Sequence, residues 1–250
     1  MSDDESSHPA PPRCHVCGGE CRFAFEKDGF DIVRCGACDF RFVHPYPSED
    51  DLNAYYATSY RGASEDSYPK ARSRARRAFV KSFRFLRYLR GKTALDIGCG
   101  GGFTVNAFRR LGADAHGLDI SQNSIAYARR HFPKCTFHCE SFDAMARRDT
   151  VFDFMFTTEL MEHIPGPAGI MKMISARSKI GTVVYVATPD AGHPAVPENM
   201  RDWTDICPIE HIQWFNRDNM TRLFGDYGFD PLKAFDKKTP ALSMLFVRRR

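Results

Sequence analysis

Three groups of residues in this chain have the types and spacing to do chemistry. The first is Ala-Leu-Asp-Ile-Gly-Cys-Gly-Gly-Gly-Phe at 94–103, followed by Gly-Leu-Asp-Ile-Ser at 117–121. An apolar run ending in Asp96, then Gly98, Gly100, Gly101 and Gly102, predicts a strand that breaks into a tight turn before a helix. Backbone without side chains can pass close to a ligand there. Asp119 ends the next apolar run, where a carboxylate can accept both hydroxyls of a ribose. The second group is Glu159-Leu-Met-Glu162-His163, with Glu210-His211 far downstream. On a helical turn the positions i, i+3 and i+4 converge, so these carboxylates and imidazoles can take a proton from an acceptor or hold a divalent cation. The third is a pair of Cys-x-x-Cys knuckles, Cys14/Cys17 and Cys35/Cys38. Their spacing suits a four-thiolate zinc site, and an ion with all four positions filled by sulfur is structural. Cys21 is surplus to it.

The elements that must position these groups follow from hydrophobic periodicity. Strands are predicted at 94–97, 115–119, 135–139, 152–157 and 182–187, with helices at 103–111, 122–131 and 217–227 and an antiparallel closing hairpin from 229–235 and 242–247. Strands alternating with helical segments predict an α/β fold with a doubly wound, Rossmann-like sheet. Ahead of it, 22–25 and 30–34 alternate like two short strands between the cysteine knuckles. A segment that short buries too little apolar surface to fold alone, so a metal is expected to supply folding free energy. The expected division is a disordered tail at 1–12, a zinc ribbon at 13–45, a helical connector at 46–90 and the main domain at 91–250. In the connector, Ser48 is expected to cap a helix through Leu52 and Tyr55-Tyr56, and the chain loosens over 59–67. A long helix from Pro69 to Arg90 follows, its stripe of Ala75, Phe79, Phe83, Leu86 and Leu89 turned to the main domain. Its other face carries Lys or Arg at 70, 72, 74, 76, 77, 81, 84, 87 and 90 and no acid. That is either a solvated face or a surface for phosphate.

The glycine turn with Asp96 and Asp119 resembles the S-adenosylmethionine site of class I methyltransferases, over about residues 70–250. A dinucleotide-binding Rossmann site shares the layout, but Asp96 two residues before the first glycine fits S-adenosylmethionine better. The resemblance implies a seven-stranded methyltransferase sheet. It also implies that Asp96, Gly98 and Gly100 line the methionine end, Asp119 and Ile120 the ribose and adenine, and Ser141 and Phe142 the adenine edge. Thr157 and the Cys99 backbone belong to the same lining, with the Cys99 thiol as turn filler and Gly101 and Gly102 serving helix packing. The knuckles, Phe40-x-Phe42, Pro45-x-Pro47 and Tyr55-Tyr56 resemble zinc-ribbon methyltransferases of bacterial surface-glycan and secondary-metabolite pathways. Glu159, Glu162, His163 and His211 resemble the metal site of ribose 2′-O-methyltransferases acting on small-RNA ends, which implies Mg²⁺ or Mn²⁺. Part of that segment also resembles ubiquinone-pathway O-methyltransferases; a competing reading keeps the same residues without metal, with Glu162 structural, His163 a general base and His211 orienting an acceptor hydroxyl or capping a loop.

Composition bounds these readings. With 250 residues and a hydrophobic fraction of 43%, the chain has room for one sizeable domain and a small appendage. No apolar run approaches a membrane span, and Met1–Pro12 lacks the apolar core of a signal peptide. The nine cysteines without such a signal point to a reducing, cytoplasmic compartment. A net charge of +4 is mild, so any anionic partner must be recognised locally. The expected function is S-adenosylmethionine-dependent O-methylation of a hydroxylated small molecule, a sugar or a secondary metabolite, with Glu162, His163 and His211 catalytic. The acceptor can be anionic, and no membrane partner is expected. The alternatives are a divalent-metal-dependent 2′-O-methyltransferase of an RNA terminus, and a non-catalytic cofactor-binding or partner-docking protein. The irregular stretch between Asp190 and Glu210 is expected to be a lid over the acceptor, with His193 and Trp203 as candidate contacts.

Overall fold

The glycine turn lies at the carboxyl end of the middle one of five parallel strands in a seven-stranded mixed sheet. This computed structural model describes residues 12–48, 50–52, 54–55 and 66–250. Five strands are parallel: β4 (Thr93–Ile97), β5 (Asp114–Asp119), β6 (Thr136–Cys139), β7 (Phe152–Thr158) and β8 (Ser178–Pro189). Numbering the remaining strands in chain order, β10 (Phe229–Ala234) and β11 (Ala241–Arg248) form an antiparallel hairpin, with β11 antiparallel to β8. The spatial order is β10-β11-β8-β7-β4-β5-β6. The strand order reverses between β4 and β7, which run parallel, and this is the switch point at which such sheets bind ligands. The central strands are covered on both faces and so read as nearly continuous apolar runs, Phe154-Met155-Phe156 in β7 being one.

Helices α1 (Ala71–Ser82), α2 (Leu86–Leu89), α3 (Phe103–Arg110) and α4 (Gln122–His131) cover one face, burying Phe85, Val105, Phe108 and Ile125 against Phe154 and Phe156. On the other face α5 (Phe142–Ala146), α6 (Ala168–Ala176) and α7 (Arg217–Asp226) bury Met145, Ile174 and Phe224 against Leu95, Ile97 and Met155. Helices α3, α4 and α7 stand where periodicity put them. Ser121 caps α4 by accepting the Ser124 N–H, and Asn216 and Asn219 form a reciprocal capping box on α7. Helix α6 escaped the sequence reading: Ile170, Met171, Met173 and Ile174 are all buried, and a short helix apolar on most sides gives little periodic signal. No described helix is long and apolar enough to cross a membrane.

The expected long helix over 69–90 is broken. Helix α1 ends at Ser82, whose hydroxyl donates to Ala78 O at 2.7 Å, and this back-bonding competes with the helical ladder. A 3₁₀ turn at Phe83–Phe85 then leads into α2. The break corrects the predicted stripe: Phe85 and Leu89 are buried, while Phe83 is 53% and Leu86 38% exposed. Ser48 does cap a helical turn, accepting the Asp51 N–H at 3.1 Å. The expected tail at 1–11, Tyr56 and the loosening over 59–65 lie outside the described residues.

At the front, β1 (Cys21–Lys27), β2 (Phe30–Cys35) and β3 (Arg41–Val43) form an antiparallel sheet, and its fourth strand, β9 (Gln213–Trp214), comes from beyond β8. This ribbon shares two cores with the rest of the chain. Phe40 and Phe42 join the core beneath α6 and α7, and Ile32 and Val43 pack with Trp203, Ile206, Ile212 and Trp214. Apolar burial therefore supports the ribbon alongside any metal. The stretch from Asp190 to Glu210 is thus held by its own buried residues against the ribbon. Trp203 is 5% exposed and belongs to that packing.

Candidate active site and thiolate centre

At the end of β4 the chain turns through Gly98, Gly100 and Gly102, all left-handed at φ 76°, 48° and 76°, which side chains resist. Gly98 and Cys99 both donate N–H groups to Leu118 O, at 2.8 and 3.0 Å, fastening the turn to β5. Asp119 Oδ2 accepts the Gly100 N–H and Oδ1 the Ser121 N–H, each at 2.8 Å. Each oxygen keeps a further lone pair with which to accept a hydroxyl. Asp96 is 5% exposed, and burial, then the neighbouring Asp119, push its carboxyl well above the usual carboxylate range. Burial raises Asp119 as well, against opposing N–H bonds from Ser121, Gly100 and Ile120. A buried and a half-buried carboxylate at neighbouring strand ends favour a cationic ligand, such as a sulfonium or ammonium group.

The other residues assigned to this edge are distributed around it. Ile120 is 75% exposed next to Asp119, an apolar surface at the sheet edge. Ser141 caps α5 through the Ala144 N–H, and Phe142 is half-buried at the first helical position. Thr157 Oγ1 is buried and has no hydrogen-bond partner among the described residues. The Cys99 thiol turns inward over β5, where a Cβ on Gly117 would come within 2.7 Å of it, so only the backbone of Cys99 faces the turn. Gly102 does serve packing: a Cβ there would meet the Phe137 ring at 2.7 Å. Tyr68 went unnoticed in the sequence, where a lone Tyr ahead of a Pro carries no signal. Its ring would lie 2.8 Å from a Cβ on Gly101, and its hydroxyl 2.9 Å from one on Gly100.

The second group assembles in part. Glu162, His163 and His211 bring one ligand atom each to within 4.8 Å of one another. The expected helical turn through Glu159 does not form. Glu159 keeps its N–H on Ala187 O at 3.1 Å, continuing the β7–β8 ladder, and then turns left-handed at φ 52°. Only Met161–His163 are helical, in a 3₁₀ turn, and Glu159 is exposed and outside the cluster. Both imidazoles are oriented by main-chain carbonyls: His163 Nδ1 lies 2.7 Å from Glu210 O and His211 Nδ1 2.9 Å from Asp205 O. A carbonyl only accepts, so each Nδ1 carries a proton, and Nε2 is the nitrogen left to offer a lone pair when the ring is neutral. Glu162 is fully buried; its Oε2 accepts from Thr188 Oγ1 at 2.8 Å, and its Oε1 has no hydrogen-bond partner among the described residues. Burial, with Glu159 adding to it, pushes this carboxyl up to about 7. His163 Nε2 stands 4.0 Å from that Oε1.

Tertiary bonds hold the cluster together. Ile212, next to His211, donates its N–H to Glu162 O at 2.8 Å and accepts the Val43 N–H at 2.9 Å. Gln213 bonds Met161 O and accepts from the Tyr46 hydroxyl. Thr188 and Gln213 were not foreseen, although a polar residue ending a parallel strand is a place to look. His193 lies elsewhere, in a cleft of about 460 Å³ with Asp190, Arg217 and Lys237 that contains none of the cluster residues.

In the ribbon, Cys14, Cys17, Cys35 and Cys38 bring their sulfurs within 4.8 Å of one another. Cys14 and Cys38 are 3.6 Å apart, and Cys17 and Cys35 3.4 Å. Tetrahedral zinc with bonds of about 2.3 Å needs sulfurs about 3.8 Å apart, so the four thiols fit the ion. The N–H groups of Val16 and Ala37 point at Cys14 and Cys35 Sγ, each at 3.4 Å. Cys21 stays outside this group, buried.

Residues 70–234 match a family model described as a methyltransferase domain. The ubiquinone biosynthesis O-methyltransferase of Coxiella burnetii is 28% identical over 145 residues, which is 50% of this chain and 62% of that one. Magnesium protoporphyrin IX methyltransferase of Synechocystis, solved with bound S-adenosylhomocysteine, superposes with a TM-score of 0.56 at 15% identity, over 80% of this chain and 100% of that one. A chain from the Haloferax volcanii complex of a Trm112 methyltransferase activator with a methyltransferase gives a TM-score of 0.59 at 18% identity, over 82% and 100% of the two chains. With the glycine turn at the switch point of a seven-stranded sheet, the chain belongs to the methyltransferase-domain family of class I, S-adenosylmethionine-dependent enzymes.

Proposed function

We propose that the protein transfers a methyl group from S-adenosylmethionine to a hydroxyl of a small-molecule acceptor. The observation that carries this reading is the pair of Nδ1-anchored imidazoles, His163 and His211, beside Glu162. Bound S-adenosylmethionine supplies an electrophilic methyl group. Asp119 accepts the ribose hydroxyls, Asp96 faces the cationic methionine end, and Ile120, Ser141 and Phe142 flank the adenine. Gly98 and Gly100 let the backbone approach, and Thr157 Oγ1 offers the cofactor edge a donor that has no hydrogen-bond partner among the described residues. The acceptor O–H gives its proton to an Nε2 as its oxygen bonds the methyl carbon and the carbon–sulfur bond breaks. The products are a methyl ether, S-adenosylhomocysteine and an imidazolium, whose charge the Glu162 carboxylate offsets. The relatives named ubiquinone biosynthesis O-methyltransferase support oxygen as the methylated atom.

A second reading rests on the orphaned Glu162 Oε1. One carboxylate oxygen and two neutral imidazole nitrogens are a donor set for Mg²⁺ or, more comfortably, Mn²⁺, which would lower the pKa of an acceptor hydroxyl, as a ribose terminus of RNA would require. Glu159 does not join that set in this conformation. Zinc in the ribbon is common to both readings. Calorimetric titration with Mn²⁺, in the presence of S-adenosylhomocysteine, separates them. Heat of binding that disappears in His211→Ala favours the metal. Its absence, together with turnover of hydroxylated acceptors that survives chelation, favours proton transfer alone. Turnover of amines with no turnover of hydroxyls would defeat both.

A further inference from the structure

The break at Phe83–Phe85 changes what the connector shows to solvent. Val80, Phe83 and Leu86 are 66%, 53% and 38% exposed, and each is followed four residues later by an arginine, Arg84, Arg87 and Arg90. All three arginines are exposed, and among the described residues none is in an ion pair. No acid lies between Lys70 and Arg90. The guanidinium of Arg87 lies over the Tyr88 ring at 4.7 Å and that of Arg84 over Phe235 at 5.6 Å, so cationic heads border a strip of aliphatic and aromatic surface. Arg84 and Lys81 are also close enough to Lys237 to depress its ammonium after burial has done so. The basic surface thus extends onto the 235–240 turn, which adjoins the carboxyl end of β8.

We propose that this strip is a docking surface for an anionic lipid bilayer, with Val80, Phe83 and Leu86 entering the interfacial region and the arginines meeting lipid phosphates. Long basic side chains around an exposed apolar strip are the composition of helices that lie in a membrane interface. Charge complementarity selects the partner. A second copy would oppose cation to cation. Nucleic acid explains the arginines but leaves Val80 and Leu86 in water, because single-strand platforms rely on aromatic rings that stack on bases. The surface lies on the outside of α1 and α2, apart from the glycine turn and the Glu162 cluster, so docking does not depend on the reaction assigned to them.

The test is co-sedimentation of the full chain with vesicles of phosphatidylcholine alone and of an equal mixture of phosphatidylcholine and phosphatidylglycerol. Binding is expected to the mixed vesicles only, weakening as salt shortens the screening length. The double variant Arg84→Gln/Arg87→Gln should reduce the partition coefficient about 30-fold, at about 1 kcal/mol for each of the two cations. Val80→Ser/Phe83→Ser should reduce it at low salt without altering its salt dependence. Unchanged S-adenosylhomocysteine titration of each variant guards against misfolding. The proposal is overturned if the mixed vesicles do not sediment the protein, if Val80→Ser/Phe83→Ser binds them like the parent, or if binding is seen only to single-stranded RNA.

Discussion

The glycine turn and the Glu162 cluster stand at neighbouring strand ends but are assembled differently. Asp96, Gly98, Gly100 and Asp119 come from one continuous strand–turn–helix–strand unit, and their bonds to Leu118 O and Ser121 N–H stay inside it. Glu162 and His163 follow β7, whereas His211 arrives beside β9, a strand of the ribbon sheet. The Ile212 backbone, bonded to Glu162 on one side and Val43 on the other, joins them. A site encoded locally can persist when distant packing is disturbed. One assembled from three segments depends on whatever fixes the segments, here including the knuckles that hold the ribbon.

Several substitutions can break or sharpen this contrast. The largest effect is expected at the imidazoles. His163→Ala and His211→Ala should lower turnover by about 10²–10⁴-fold, the usual scale for a general base, while S-adenosylhomocysteine affinity stays within a few-fold by calorimetry. Asp119→Ala should do the reverse. Losing charge-assisted bonds to two ribose hydroxyls weakens cofactor binding on the order of 10²-fold, and unchanged affinity would remove Asp119 from the site.

Cys35→Ser is the direct probe of the ribbon's role. Stoichiometric zinc should be lost, turnover should fall about 10-fold or more, as when a ligand's orienting partner is removed, and cofactor affinity should hold. Hydrogen exchange should rise at Ile212 and Val43 and stay unchanged at Gly98. A variant that keeps both its metal and its turnover contradicts the four-thiolate centre.

The smallest effect concerns the cofactor half. His116 Nδ1 lies 3.1 Å from His138 Nε2 between β5 and β6, and burial, then His116, lower the His138 pKa from 6.5 to about 4. The folded protein resists protonation there, so the unfolded chain binds more protons between those values. The stability involved is present above pH 6.5 and is lost as pH falls towards 4. His138→Gln should flatten the pH dependence of the melting temperature in that window by the equivalent of roughly 1–3 kcal/mol. A parallel curve would show that the pair does not titrate as described.

Much of the fold was legible because strands and helices leave periodic traces. β4 through β7, α3, α4 and the closing hairpin fall within a residue or two of their predicted places. What failed, failed for physical reasons. Ser82 bonds back to Ala78 O and breaks a helix whose periodicity looked continuous. Glu159 stays in the ladder with β8 and leaves the cluster it was assigned to. Helix α6 is too uniformly apolar to declare a face, and Tyr68 reaches the glycine turn only because α1 packs on α3.

By itself, the sequence determined the family chemistry and the metal-type knuckles of this protein. A glycine turn flanked by Asp96 and Asp119, and four cysteines in two knuckles, are short-range patterns whose geometry follows from backbone stereochemistry. Tertiary structure alone decided that His211 meets Glu162 and His163, that the ribbon takes a strand from beyond β8 and shares two cores with the rest of the chain, and that Phe83 and Leu86 face outward. Each of these depends on how segments far apart in the chain pack together, and local periodicity carries no record of that.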